Sequence, residues 1–123
     1  MALVRGIRGA TTATSNTKEA ILEATAELLA SLVEVNDVRL DDVAAAHFTT
    51  TDDLNAEFPA QAARHLGWEH VALLGGREAP VPNATARCIR VLLLVNTDKA
   101  PDELRFIYLR GAEKLRDRGM QEA

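Results

Sequence analysis

The sequence predicts an α+β domain in which about five strands form one mixed sheet and a single long helix covers one of its faces. Three observations lead there. Residues 87–96 are an almost unbroken apolar, branched run; residues 16–36 repeat apolar side chains at three and four residues; and four shorter strand-like runs lie at 3–12, 43–51, 70–78 and 104–109. Two of these strands are apolar on both faces and need two covering layers, whereas one long helix supplies one. The second layer is therefore expected from neighbouring copies of the chain.

Composition bounds the function classes. With 123 residues the chain is expected to be a single domain, 1–123. A formal net charge of -4 gives no basic footprint, so nucleic acid is not an expected partner. No apolar run approaches the roughly 20 residues of a membrane span, and the N-terminus has no apolar signal core. The single cysteine, Cys88, lies inside the apolar run, which fits a reducing cytoplasm and argues against a disulfide scaffold. His47, His65 and His70 fall on different predicted elements, so no metal site and no cofactor is expected.

In order, residues 3–12 read as a strand with glycines where a backbone or ligand comes close. Alternation puts Arg8 with Val4, Gly6 and Ala10, and Arg5 on the other face with Leu3 and Ile7. Arg5, at the strand end, reads as a surface charge, and Arg8 as the better anion-binding candidate. Asn16 is the predicted N-cap of the long helix, with Glu19 completing a capping box. Ile21, Ala24, Leu28, Leu32 and Val35 form its apolar stripe, and Asn36 can end it in the left-handed conformation. The second strand carries His47, read as a core or edge histidine.

Residues 58–67 have the proline-first, glycine-last punctuation of a short helix, with Arg64 as a surface arginine. The third strand contains Leu74, Gly75, Gly76 and Arg77 and ends at the carboxylate of Glu78. Pro80 and Pro82 turn the chain into the central strand at 87–96, where Arg90 is the anomaly. A guanidinium there cannot lose its proton, and its desolvation needs an anion, supplied by this protein or by a ligand. The last strand holds the only tyrosine, Tyr108, whose phenol wants a partner if buried. From about residue 111 the tail, with Leu115 and Arg116, reads as a mobile segment.

These residues carry a resemblance. Arg5-Gly6-Ile7-Arg8-Gly9-Ala10-Thr11-Thr12, Asp53-Leu54 followed by Phe58-Pro59-Ala60, Cys88-Ile89-Arg90-Val91, Asn96-Thr97-Asp98 and Tyr108-Leu109 occur in order over about residues 3–116. The chain thereby resembles the monofunctional, trimeric chorismate mutases of the α/β pseudo-barrel class. The resemblance implies a ferredoxin-like protomer in a homotrimeric pseudo-barrel, with chorismate as substrate, prephenate as product and each pocket between two subunits. It implies that Arg90 contacts the ether oxygen and side-chain carboxylate, that Arg8 pairs with a carboxylate to which Tyr108 hydrogen-bonds, and that Glu78 accepts from the ring hydroxyl. Phe58 and Arg64 would line the entrance, Leu115 and Arg116 would close over it, and residues 74–78 (Leu74, Gly75, Gly76, Arg77, Glu78) would form a wall through their backbone.

Two positions depart from some members of the family. Gly75 stands where they have a cysteine, and Gln61 where they have a lysine, which removes a possible contact to the hydroxyl and lowers the positive charge at the mouth. The competing class is a trimeric carboxylate-binding or regulatory protein that uses the same cleft without turnover. Arg8, Glu78, Arg90 and Tyr108 together favour the enzyme.

Overall fold

The computed structural model describes residues 2–115. Five strands, β1 (Leu3–Thr12), β2 (Val43–Thr50), β3 (Ala72–Arg77), β4 (Cys88–Thr97) and β5 (Ile107–Tyr108), form one sheet in the order β3-β2-β4-β1-β5. Two helices, α1 (Lys18–Val35) and α2 (Ala60–His65), pack on one face, and short 3-10 turns lie at Leu40–Asp42, Pro101–Glu103 and Arg110–Ala112. The sheet is mixed. β4 runs antiparallel to both β1 and β2, while β2 with β3 and β1 with β5 are parallel pairs.

The first crossover, β1-α1-β2, straddles β4, as in a ferredoxin-like unit. The second does not: a six-residue α2 returns the chain directly beside β2, so β3 pairs with the strand it follows. The ferredoxin-like outline therefore holds for β1, α1, β2 and β4 and not for β3.

Helix α1 starts one residue later than its capping-box pattern suggests. The hydroxyl of Thr17, not the side chain of Asn16, accepts from the backbone N–H of Ala20. Asn16 is occupied elsewhere, accepting from the backbone of Asn55 and Ala56 and so tying the helix start to the loop after β2. At the C-terminus Asp37 (φ 51°), not Asn36, takes the left-handed conformation. Asn36 is instead buried and exchanges hydrogen bonds with the backbone of Arg105. The buried stripe runs through Ile21, Ala24, Leu28 and Leu32 but stops there; Val35 is exposed.

Strand β4 corrects the sequence reading most. Its side chains alternate, with Ile89, Val91, Leu93 and Val95 buried beneath the helices and Arg90, Leu92 and Leu94 on the opposite face, open in the protomer. A run apolar on both faces thus has one face covered by its own chain. Its start is fixed by Asp53, whose carboxylate accepts from the backbone N–H of Arg87 at 2.8 Å and from the Thr51 hydroxyl at 2.5 Å, and Thr51 accepts from the N–H of Cys88 at 3.0 Å. These bonds hold the carboxyl of Asp53 below its ordinary range, although burial opposes them.

Strand β1 crosses α1 closely. A Cβ on Gly9 would lie 2.8 Å from Cδ1 of Leu32 and 3.1 Å from Cδ1 of Leu28, so any side chain here would force these buried leucines to shift. The regular last strand is shorter than expected, two residues instead of six: Arg105 gives its backbone N–H and C=O to the side chain of Asn36 instead of a neighbouring strand, and a 3-10 turn begins at Arg110. The start of the tail is tied down: Arg110 pairs with Glu23 and Glu27 of α1, and Ala112 is buried with Ala10 and Cys88 on the open face.

Candidate active site

The open face of the sheet is where the charged side chains meet. Strand register arranges them in two rows. One runs Gly76, Thr49, Arg90, Ala10, Tyr108 across β3, β2, β4, β1 and β5, and the next runs Leu74, His47, Leu92, Arg8 across the first four. Alternation delivers the residues of β4 to this face, because Ile89, Val91 and Leu93 between them are committed to the core. Along the rows lie two adjoining cavities of about 450 and 330 Å³. Arg8, Glu78, Arg90 and Tyr108 border both of them.

Four residues far apart in the chain are thus brought to one place. Nη1 of Arg90 donates to Oε2 of Glu78 at 3.0 Å, and the Arg90 side chain remains 46% exposed. The desolvated arginine expected from the apolar run is instead an accessible one whose partner among the described residues is Glu78. The guanidinium of Arg8 stacks over the ring of Phe106 at 4.9 Å, a cation–π contact that orients it without neutralising it. Arg5, on the other side of β1, donates to the carbonyl of Lys99 and stays out of the cleft, as alternation requires.

Leu74, Gly75 and Gly76 line the larger cavity, and Leu115 borders the smaller one. Gly75 and Gly76 leave the wall without side chains, so backbone faces the cavity there. Arg77 does not join them. It sits at the opposite phase of β3 from Leu74 and Gly76 and pairs with Asp52 at 3.4 Å. Phe58 and Arg64 belong to the segment of α2, on the helix-covered face, and within one protomer they do not reach the cleft. Phe58 is 73% exposed, and Arg64 donates to the carbonyls of Trp68 and Glu69. Arg116 lies outside the described residues.

The structure adds Thr49 and Leu92, which the sequence did not single out, and His47, which reads from sequence as a core or edge histidine but stands exposed on an interior strand. Thr49 donates from its hydroxyl to Oε2 of Glu78 at 2.5 Å, and His47 and Leu92 stand on the cleft floor. Only their position opposite Leu74, Gly76 and Arg90 makes them visible, and that depends on strand pairing. Cys88 borders the smaller cavity, where burial pushes its thiol up to about 11, with Arg90 opposing and Glu78 and Asp53 adding. At neutral pH it is a neutral thiol, unsuited to nucleophilic attack. The cleft offers two cations, one carboxylate, a phenol and a hydroxyl on a rigid sheet, a set suited to gripping a dianion and stabilising charge that develops on it.

Residues 4–118 match the family model described as chorismate mutase type I. The chain is 50% identical over 115 residues to chorismate mutase AroH of Thermus thermophilus, across 93% of this chain and 94% of that one. It is 41% identical over 115 residues to chorismate mutase AroH of Bacillus subtilis strain 168, across 93% and 91%. Among solved structures, a chorismate mutase from Clostridium thermocellum superposes with a TM-score of 0.88 at 44% identity, covering 89% of this chain and 98% of that one.

Proposed function

We infer how the cleft works from one premise: the chain belongs to the chorismate mutase type I family and isomerises chorismate to prephenate. The reaction is an intramolecular pericyclic rearrangement. The ether C–O bond breaks as a C–C bond forms, with no atom gained or lost, and negative charge grows on the ether oxygen. Neither nucleophile nor general base is required. Catalysis then rests on holding the reactive conformer and placing fixed positive charge beside that oxygen.

In our assignment Arg90 donates to the ether oxygen and the side-chain carboxylate. Arg8 pairs with a substrate carboxylate, Tyr108 hydrogen-bonds to the same group, and Glu78 accepts from the ring hydroxyl. Leu74, Gly75 and Gly76 form a wall. The observation that carries this reading is the convergence of Arg8, Glu78, Arg90 and Tyr108 on the border of both cavities. Arg90 also suits the role because it is anchored on the central strand yet exposed enough to turn from Glu78 to a ligand. Glu78 acts with backbone instead of a thiol, since Gly75 supplies no side chain.

We further propose a homotrimer with each active site between two subunits. Val4, Leu74, Leu92 and Leu94 are exposed apolar side chains on the open face, and covering them needs another surface. A neighbour would also bring Phe58 and Arg64, out of reach within one protomer, to the entrance. Leu115, on the border of the smaller cavity, would help to close it. Among the described residues no helix is long and apolar enough to cross a membrane, and we place the enzyme in the cytoplasm, where a reduced Cys88 is at home.

The test is loss of chorismate's diene absorbance on adding purified protein, with sedimentation run in parallel. Turnover by a trimer is expected. Active monomers would overturn the shared-site assignment, and a folded trimer without turnover would leave a carboxylate binder.

A further inference from the structure

We propose that Thr49 is a positioning residue for Glu78, holding its carboxylate in place while Arg90 turns from Glu78 to the substrate. The inference deepens the assignment above and rests on Glu78 being the acceptor for the ring hydroxyl.

Thr49 stands on β2 between Gly76 of β3 and Arg90 of β4, in one row of the open face. Its hydroxyl donates to Oε2 of Glu78 at 2.5 Å, and Nη1 of Arg90 donates to the same oxygen at 3.0 Å. Both bonds use Oε2, which leaves Oε1 to accept from a ligand. An O–H···O⁻ contact of this length is in the short, charge-assisted class.

The two anchors differ in what a ligand does to them. Glu78 lies just past the end of β3, where only its backbone N–H to the carbonyl of Thr50 continues the pairing, so its side chain is not fixed by a strand. Arg90 is drawn to incoming negative charge, and as the ether oxygen gains charge its donors are needed there. If Arg90 were the sole anchor, Glu78 would come loose when it must grip the hydroxyl. Thr49 carries no charge, has a stiff branched side chain, and its strand is paired on both sides, with β3 and with β4. A dianion pulls far less on a neutral hydroxyl than on a guanidinium. The hydroxyl therefore keeps Oε2 occupied after Arg90 leaves, and with it the direction of Oε1.

The experiment is a double-mutant cycle. Thr49→Val keeps shape and strand preference but deletes the donor, Thr49→Ser keeps the donor, and both are made in parental and Glu78→Ala protein. The readouts are kcat/KM, the dissociation constant for prephenate where turnover is too slow to time, and the unfolding midpoint. Losing a hydrogen bond to a charged group predicts that Thr49→Val lowers kcat/KM about tenfold, with a small fall in midpoint because Glu78 keeps Arg90 and solvent. Thr49→Ser restores most of it. In the Glu78→Ala background neither substitution has a further effect, because the group Thr49 acts through is gone.

Parental kcat/KM in Thr49→Val, or the same loss with and without Glu78, would overturn the proposal and leave the Glu78 assignment standing. Parental activity of Glu78→Ala alone would remove that assignment and this inference together. Should Val disturb β2, Thr49→Ala runs the same cycle.

Discussion

Arg90→Ala separates the catalytic from the structural reading, because the two predict effects of very different size. In the protein the Arg90 side chain is 46% exposed, and its partner among the described residues is Glu78 at 3.0 Å. An exposed pair of this kind contributes about 1 kcal/mol or less to stability after solvent screening. Its removal leaves Glu78 bonded to Thr49, so no buried charge is stranded. The barrier is another matter. Losing a preorganised donor at the developing charge costs about 3 kcal/mol or more, and a charge-assisted bond to the carboxylate adds about 1.5–3 kcal/mol to the loss in kcat/KM. Together these give on the order of a thousandfold or more, at about 1.4 kcal/mol per tenfold. The assay follows diene absorbance with the variant beside the parent, alongside sedimentation and denaturant unfolding. A folded, trimeric and nearly inactive variant is expected. Activity within tenfold of the parent would refute the contact with the ether oxygen, and failure to fold would make Arg90 structural.

Three further outcomes follow from the same geometry. Arg90→Lys is expected to remain folded and to lose most of its kcat, since a point charge on a flexible stem cannot serve ether oxygen and carboxylate together; near-parental turnover would sink the two-point contact. Gly9→Ala is expected to destabilise by about 1–3 kcal/mol, the range for overpacking, because its methyl would meet Leu32 at 2.8 Å beneath a fully buried helix face; an unchanged denaturant midpoint would contradict the packing. Cys88 should make stability fall with alkaline pH. Its thiol is raised from 9.0 to about 11 by burial, so between those values the unfolded chain has released a proton that the folded one retains, and stability present below pH 9 is lost as pH rises through 11. Unfolding curves of Cys88→Ala should lack that part of the slope, and an identical slope would exclude Cys88 as its source.

The sequence alone made candidates of Arg90, in an apolar run, and of Arg8, between glycines; Glu78 and Tyr108 gained their expected roles only through the family resemblance, and the strand phases of Arg5 and Arg8 follow from alternation of two residues. Local signals also located the one long helix and the main strands, because apolar periodicity is a property of neighbouring residues. What lay beyond reach was whatever depends on pairing between distant segments. Asn16 looked like a helix cap until the backbone of Asn55 and Ala56 was there to claim it. The apolar run of β4 could not tell which face its own helices would cover, and Arg90 proved accessible instead of desolvated. Thr49 and His47 read as ordinary strand residues because their importance comes from register, which sets Thr49 opposite Arg90 and His47 opposite Leu92. Composition and local periodicity fix which residues are available and on which side of each strand they stand. Only the tertiary structure decides which strands lie side by side, since that choice is set by the summed burial of the whole sheet and not by any single stretch of chain.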